Sequence, residues 1–214
     1  EDAELAEGVA AHAAAVLHNA AVFARSEARR QAAEALAEVG RLLSQTLDPE
    51  TVGQRVAESV CRLLNARSAI LYRITADGAT LVGETSSGAA EFPWLVRLPS
   101  DAGIAGLALR DRRPVATSDL LADPRLHYAE DFRAQVAQNP YRALMGVPLI
   151  AQGRDLGVLA VCAHTGRRFS DDDVRLTQAF ADQAALALEN ARLYGEASRQ
   201  ATRMRALADV ERLL

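Results

Sequence analysis

Four histidines, two cysteines and one run of three aspartates are the residues of this chain whose types could do chemistry. His12 and His18 stand six apart, a spacing that puts them on different faces of a helix, and neither has a cysteine or carboxylate at ligand spacing. His127 lies inside Asp123-Pro124-Arg125-Leu126-His127-Tyr128, in a long connection, and His164 is separated from Cys162 by Ala163. Thiol redox chemistry needs a reactive thiolate with a second thiol in reach. Cys61 and Cys162 both sit in apolar contexts and read as buried free thiols in a reducing compartment. Ser86-Ser87-Gly88 lacks the frame of a nucleophile elbow, and no glycine-rich phosphate loop is present. Asp171-Asp172-Asp173 follow Ser170 at the head of a helical pattern, where three carboxylates favour the helix dipole, so they read as a helix start rather than a metal cluster. No catalytic activity is expected.

The elements that position these residues are legible in part. Residues 1–47 lack proline, and Ala28, Ala32, Ala35, Val39, Leu42 and Thr46 step by 4, 3, 4, 3, 4. That is a coiled-coil seam, alanine-rich and weak at its upstream end. Asp48 is an N-cap with Pro49 in the first turn, opening a helix to about residue 65. Strands follow at 68–74 and 79–85 around the turn 75–78, then a loop over 86–100. A helix is expected over 103–110, a short edge-like strand over 114–117, and a connection over 118–142 with a helix at 129–137. Residues 143–163 read as two apolar strands, 144–150 and 156–163, joined by Gln152-Gly153-Arg154-Asp155 with Gly153 free to take positive φ. Strands apolar on both faces need covering layers on each side. A final helix runs from 170 to the C-terminus.

The chain of 214 residues has a net charge of -4 and a pI near 5.6, so no nucleic-acid surface is suggested. No apolar run reaches the ~18 residues of a membrane span, so membrane contact is not expected and the location is read as cytoplasmic. Glu1 at the first position reads as a piece of a longer chain. Sliding the chain on itself by 171 residues aligns its ends. Leu17-His18-Asn19-Ala20 falls on Leu188-Glu189-Asn190-Ala191, Phe23 on Tyr194, and the block 35–43 on 206–214. Residues 1 to about 24 therefore read as the closing helix of a preceding domain of the same kind, and those from about 201 as the opening helix of a following one.

The strand–turn–strand at 143–163, with its VPL run, polar turn and LGVL run, resembles the last hairpin of a GAF domain. Arg67-Ser68-Ala69-Ile70-Leu71-Tyr72, Ala102-Gly103-Ile104-Ala105-Gly106 and Phe169-Ser170-Asp171-Asp172-Asp173 sit where that family's other signature pieces would. The resemblance covers roughly residues 36 to 194. It implies a small-molecule sensor and dimerisation module of a signalling protein such as a bacterial sensor histidine kinase. The expected fold is α/β (α+β): a central antiparallel sheet of five or six strands, helices on both faces, and long terminal helices packed side by side on one face. The domain division is a connecting helix over 1–35, a GAF-like domain over 36–194 and an outgoing signalling helix over 195–214.

The family's cavity lies between the sheet and lid segments. By that resemblance Phe92, Trp94, Ile104, Tyr128, Phe132 and Tyr141 would wall it, with Arg125, Arg142 and His127 as polar anchors for a small anionic or ring-bearing ligand. The alternative is that these side chains fill a closed core, leaving a ligand-free dimerisation spacer. No cofactor is implied. The cysteines do not adjoin a histidine as bilin attachment in the family requires, haem is not favoured, and the cyclic-nucleotide signature is absent. The expected partners are a second copy, a downstream output domain and a small molecule. The homodimer would pair Val39, Leu42, Ala187, Ala191, Tyr194, Ala201 and Met204 along the terminal helices, with Gly195 and Ser198 interrupting the seam.

Overall fold

The apolar hairpin is the middle of a six-stranded antiparallel sheet of order β3-β2-β1-β6-β5-β4. The computed structural model describes residues 2–43, 46, 48–88, 97–127 and 130–213. Its strands are β1 Ser68–Ile74, β2 Thr80–Ser87, β3 Arg97–Pro99, β4 Val115–Thr117, β5 Ala143–Ala151 and β6 Arg154–Ala163; its helices are α1 Asp2–Leu43, α2 Pro49–Leu63, α3 Gly103–Asp111, α4 Glu130–Ala137 and α5 Asp171–Leu213. The expected layers are present: α2 and α5 pack on one face of the sheet and against each other, and α3 packs on the other face against β5, β6 and β4.

Period-two alternation divides the sheet residues between these layers. On the α3 side Ile70, Tyr72, Leu81 and Val158 pack with Ala105 and Leu109. Ile104, Leu107 and Ala108 pack with Val115 and Leu126, with Leu144 against them. Leu71, Met145, Val147, Leu149, Leu159 and Val161 alternate to the α5 side and are fully buried. The two-sided covering is why both strands of the hairpin are apolar throughout.

Local chemistry sets the element ends. The Asp48 carboxylate accepts from Thr51 N at 3.0 Å, with Pro49 in the first turn of α2. The Ser170 hydroxyl accepts from Asp173 N at 3.1 Å while the Asp173 carboxylate accepts from Ser170 N at 2.9 Å, a reciprocal box that starts α5. Gly157 is held by close approach: a Cβ there would lie 1.8 Å from the Tyr72 carbonyl oxygen of the neighbouring strand.

Three expectations are corrected. The β5–β6 turn is Gln152-Gly153 alone, with φ of 50° and 77°, and Arg154 and Asp155 already belong to β6. A two-residue turn with both residues left-handed matches the twist of paired strands, so the ladder closes earlier than polarity suggests. The β2 strand runs on to Ser87, paired with Ala69. The region read as loop over 86–100 contains β3, three residues at the sheet edge ending on Pro99, too short for any periodic signal.

The chain divides into two units, Glu1–Glu38 and Val39–Leu214. In the first, every described side chain from 12 to 24 is exposed, including Leu17 at 71% and Phe23 at 73%. Arg30 there bridges Glu27 and Glu34 along the helix. In the second, Val39 is buried, and a Cβ on Gly40 would lie 3.5 Å from Gln183 Oε1, so α1 passes beside α5 at Gly40.

Candidate functional site

On the α3 side the sheet ends at Ser68 and Cys162, which are register partners across β1 and β6. The two ends of the connection from β4 to β5, near 118–120 and 139–142, meet beside it. Two arginine–aspartate forks brace the connection. Arg142 Nε and Nη2 donate to the two Asp119 carboxylate oxygens at 2.9 and 3.0 Å, and Nη1 donates to the carbonyls of Asn139 and Ala137 at 3.0 and 3.3 Å. Leu120 N donates to Arg142 O at 2.9 Å, and Gly166 N to Ser118 O at 2.8 Å. One guanidinium thus ties the loop after β4 to the approach of β5.

The second fork is local. Arg125 Nε and Nη2 donate to Asp123 at 2.9 and 2.6 Å, and Nη2 also reaches Ala116 O at 2.9 Å. The Arg125 guanidinium holds the Asp123 carboxyl down at about 2. The Arg142 guanidinium likewise holds the Asp119 carboxyl below its usual range.

Tyr141 is placed between cations and rings. The Arg67 guanidinium lies 5.2 Å from its ring centre, and the His164 ring meets it edge-on at 4.9 Å. Its carbonyl accepts from Cys162 Sγ at 3.2 Å. Burial pushes the Cys162 thiol up to about 11. Beside it the Ser68 hydroxyl is fully buried and faces the Cys162 thiol, with no nitrogen or oxygen partner among the described residues. Burial also raises the Cys61 thiol, which donates to Ala66 O at 3.2 Å. Both thiols are therefore held protonated, the opposite of an activated nucleophile.

Of the residues expected at the cavity, Tyr141 and Arg142 come together at one end of the sheet. Arg125 stands on the same long connection, and His127 is exposed. Ile104 is buried in the core cluster beneath α3. Phe92, Trp94 and Tyr128 lie outside the described residues, as does the side chain of Phe132. Sequence reasoning missed Ser68, Arg67 and His164 as neighbours of Tyr141, and missed both aspartates. Asp123 stands two residues before Arg125, a local signal; Asp119 meets Arg142 only through the fold. Also unforeseen is an open cleft of about 460 Å³ beside α3 at the other end of β1 and β6, lined by Ile74, Ser100, Asp101, Gly106, Leu109, Arg110 and Asp155.

On α5, Ala187 and Ala191 are 7% and 9% exposed within the single chain, covered by its own residues. Leu186, Leu193, Tyr194 and Met204 are the large apolar side chains exposed on this helix among the described residues. Ala201 is exposed, and the side chain of Leu42 lies outside the described residues. The helix passes through Gly195 and Ser198 unbroken. No described helix is long and apolar enough to cross a membrane.

Solved structures share this architecture. The GAF domain of a phosphoenolpyruvate-protein phosphotransferase from Coxiella burnetii matches at a TM-score of 0.67 and 19% identity, over 78% of this chain and 98% of that one. A free methionine-R-sulfoxide reductase from Neisseria meningitidis, solved with its substrate, matches at 0.64 and 20% identity, over 76% and 91%. Residues 122 to 287 of a methyl-accepting chemotaxis protein match at 0.61 and 23% identity, over 73% and 98%. At these identities the likeness is one of fold. A family model described as GAF domain matches residues 46–189, more than half of the sequence. With a curled six-stranded antiparallel sheet between α2/α5 and α3, the chain belongs to the GAF family, a small-molecule-binding sensory and regulatory fold of signalling proteins.

Proposed function

We propose that this chain is a non-catalytic sensory module that binds a small molecule on the α3 side of the sheet, near Tyr141, and relays occupancy through paired α5 helices to an output domain such as that of a histidine kinase. The observation that supports the site is the buried Ser68 hydroxyl, which has only the Cys162 thiol as a polar neighbour, beside the Arg67–Tyr141 stack. A thiol is a weak hydrogen-bond partner, so this buried hydroxyl is poorly satisfied, and a ligand acceptor would satisfy it.

The two forks bear on ligand class. Arg125 and Arg142 already hold carboxylates, so an anion would have to displace Asp123 or Asp119 from charge-assisted pairs. The reading that follows is an uncharged, ring-bearing molecule stacked near Tyr141 and accepting from Ser68. Pairing of two copies would use Leu186, Leu193, Tyr194 and Met204, because Ala187 and Ala191 are spent inside the chain. We place the module on the cytoplasmic side, in keeping with its two free thiols.

The test is thermal shift against a panel of nucleotides, haem and small neutral aromatics. A neutral aromatic that raises Tm by about 2 °C or more, with the rise abolished in Ser68→Ala, supports the reading. Silence across the panel refutes it and leaves the ligand-free spacer. A rise with anions that Arg142→Ala removes, while Ser68→Ala retains it, moves the site to the forks.

A further inference from the structure

The two ends of the chain are related helices in different surroundings. Nine α5 positions are buried, and with the 171-residue offset five of them, Ala181, Ala184, Ala185, Leu188 and Ala191, recur unchanged in α1. Their α1 counterparts are Ala10, Ala13, Ala14, Leu17 and Ala20, while Thr177, Phe180, Ala187 and Glu189 meet Ala6, Val9, Val16 and His18; only three of the other fifteen positions up to residue 24 are identical. The identities of the two helices up to residue 24 thus concentrate on the stripe that α5 packs on a sheet. Helical composition alone would scatter them around the helix.

Exposure separates the two copies on that stripe. Leu188 is 8% exposed, whereas Leu17 is 71% exposed, and Ala13, Ala14 and Ala20 are exposed where Ala184, Ala185 and Ala191 are buried. Off the stripe the copies agree. Asn19 and Asn190 are both exposed, as are Phe23 and Tyr194, and Val22 and Leu193. Over residues 12–24 the first helix is therefore exposed on both faces, where α5 has one face covered. A leucine left mostly in water within a stripe this apolar marks a docking surface.

We infer that residues up to about 24 form the closing helix of a second unit of this fold, preceding on the same polypeptide, whose sheet and α2-like helix cover the Ala13–Ala14–Leu17–Ala20 stripe. The occupant is specified by the repeat. The stripe's residue types and spacing are those that fit between β5/β6 and α2 in this structure, with small residues allowing close approach to a strand surface and Leu17 taking the place of Leu188. A helix continuous from one unit into the next then serves as the outgoing helix of the first and the incoming helix of the second.

The test uses the polypeptide extended upstream to its natural start. Its sequence is expected to carry a second apolar strand–turn–strand as close ahead of Glu1 as 143–163 lies ahead of Asp172. Amide exchange over residues 12–24 is expected to slow about tenfold or more relative to the 214-residue chain. Leu17→Glu is expected to lower the melting of the upstream unit without moving that of residues 39–214, while Asn19→Glu on the exposed side moves neither. An upstream sequence without that hairpin, or equal exchange over 12–24 in both chains, overturns the inference. Exchange needs no variant, so it decides the matter even where Leu17→Glu fails to fold.

Discussion

Breaking the Asp119–Arg142 fork should loosen the connection beside the candidate site by a measurable amount. The side chains are 22% and 21% exposed, between the surface and buried regimes. Two charge-assisted bonds at 2.9 and 3.0 Å in that setting contribute about 1–2 kcal/mol. The Asn139 and Ala137 carbonyls freed by Arg142→Ala can turn to water and add about 0.5 kcal/mol. The expected loss is about 2 kcal/mol, or a Tm drop of about 4–8 °C for a domain of this size. A urea-melt double-mutant cycle of Asp119→Ala and Arg142→Ala should return a coupling of about 1 kcal/mol or more. The pH dependence has a definite sign. The folded Asp119 carboxyl lies below its unfolded value of about 4, so its contribution is full above that pH and is lost as pH falls through the folded value. The gap between wild type and Asp119→Asn should hold from pH 7 to 5 and shrink below 4. A coupling under about 0.3 kcal/mol, or a gap unchanged at pH 3, refutes the bracing role.

Gly157→Ala should destabilise by about 3 kcal/mol or more in urea melts, because its Cβ would fall 1.8 Å from a backbone oxygen that cannot step aside. Cys162 should react with a thiol reagent at pH 8 at about a thousandth of the rate of a fully ionised thiol, given a thiol held up at about 11, and faster by about tenfold per pH unit until it titrates; fast labelling of the folded protein at pH 8 would contradict this. Leu186→Glu with Leu193→Glu should shift sedimentation toward monomer while leaving Tm within about 1 °C, since both side chains are already exposed; an unchanged association state would remove this face from the proposed dimer.

The fold was legible where one residue type has one physical use. Asp48-Pro49 opens α2 and Ser170 with Asp173 opens α5 because a cap needs a short acceptor beside free N–H groups. The hairpin was legible because strands buried on both faces have no polar alternation to confuse. β3 was not, since three residues carry no period. The site was less legible for a different reason. An arginine looks like a ligand anchor until its partner is placed, and Asp119 is brought to Arg142 only by strand order. The dimer seam is ambiguous for a similar reason: Ala187 and Ala191 step as a heptad would, but so does any helix stripe laid on a sheet. The larger Leu186 and Leu193, offset by one face, show which side is open.

The proposed relay has a defined exit. The buried stripe of α5 ends at Ala191, and beyond it every described side chain is half-buried or exposed. At that boundary the Glu189 carboxylate, almost wholly covered, accepts from Arg192 Nε and Nη2 at 2.8 and 2.7 Å, and Arg192 also pairs with Glu196. Arg192 holds the Glu189 carboxyl below its usual range. A rearrangement on the α3 side reaches α5 directly across β5 and β6, whose Met145, Val147, Leu149, Leu159 and Val161 are fully buried, or across β1 and β2 by way of α2. A packed layer moves between discrete arrangements rather than by gradual compression. The helix must then shift as a rod, and the covered Glu189 must keep Arg192 or lose its closest cation. Replacing Glu189 with Gln removes that constraint while preserving shape. In the proposed relay the variant should still bind the ligand but lose the coupling between ligand and output, read as an unchanged ligand Tm shift with an output that no longer responds. An output that still responds in Glu189→Gln would place the relay elsewhere than this end of α5.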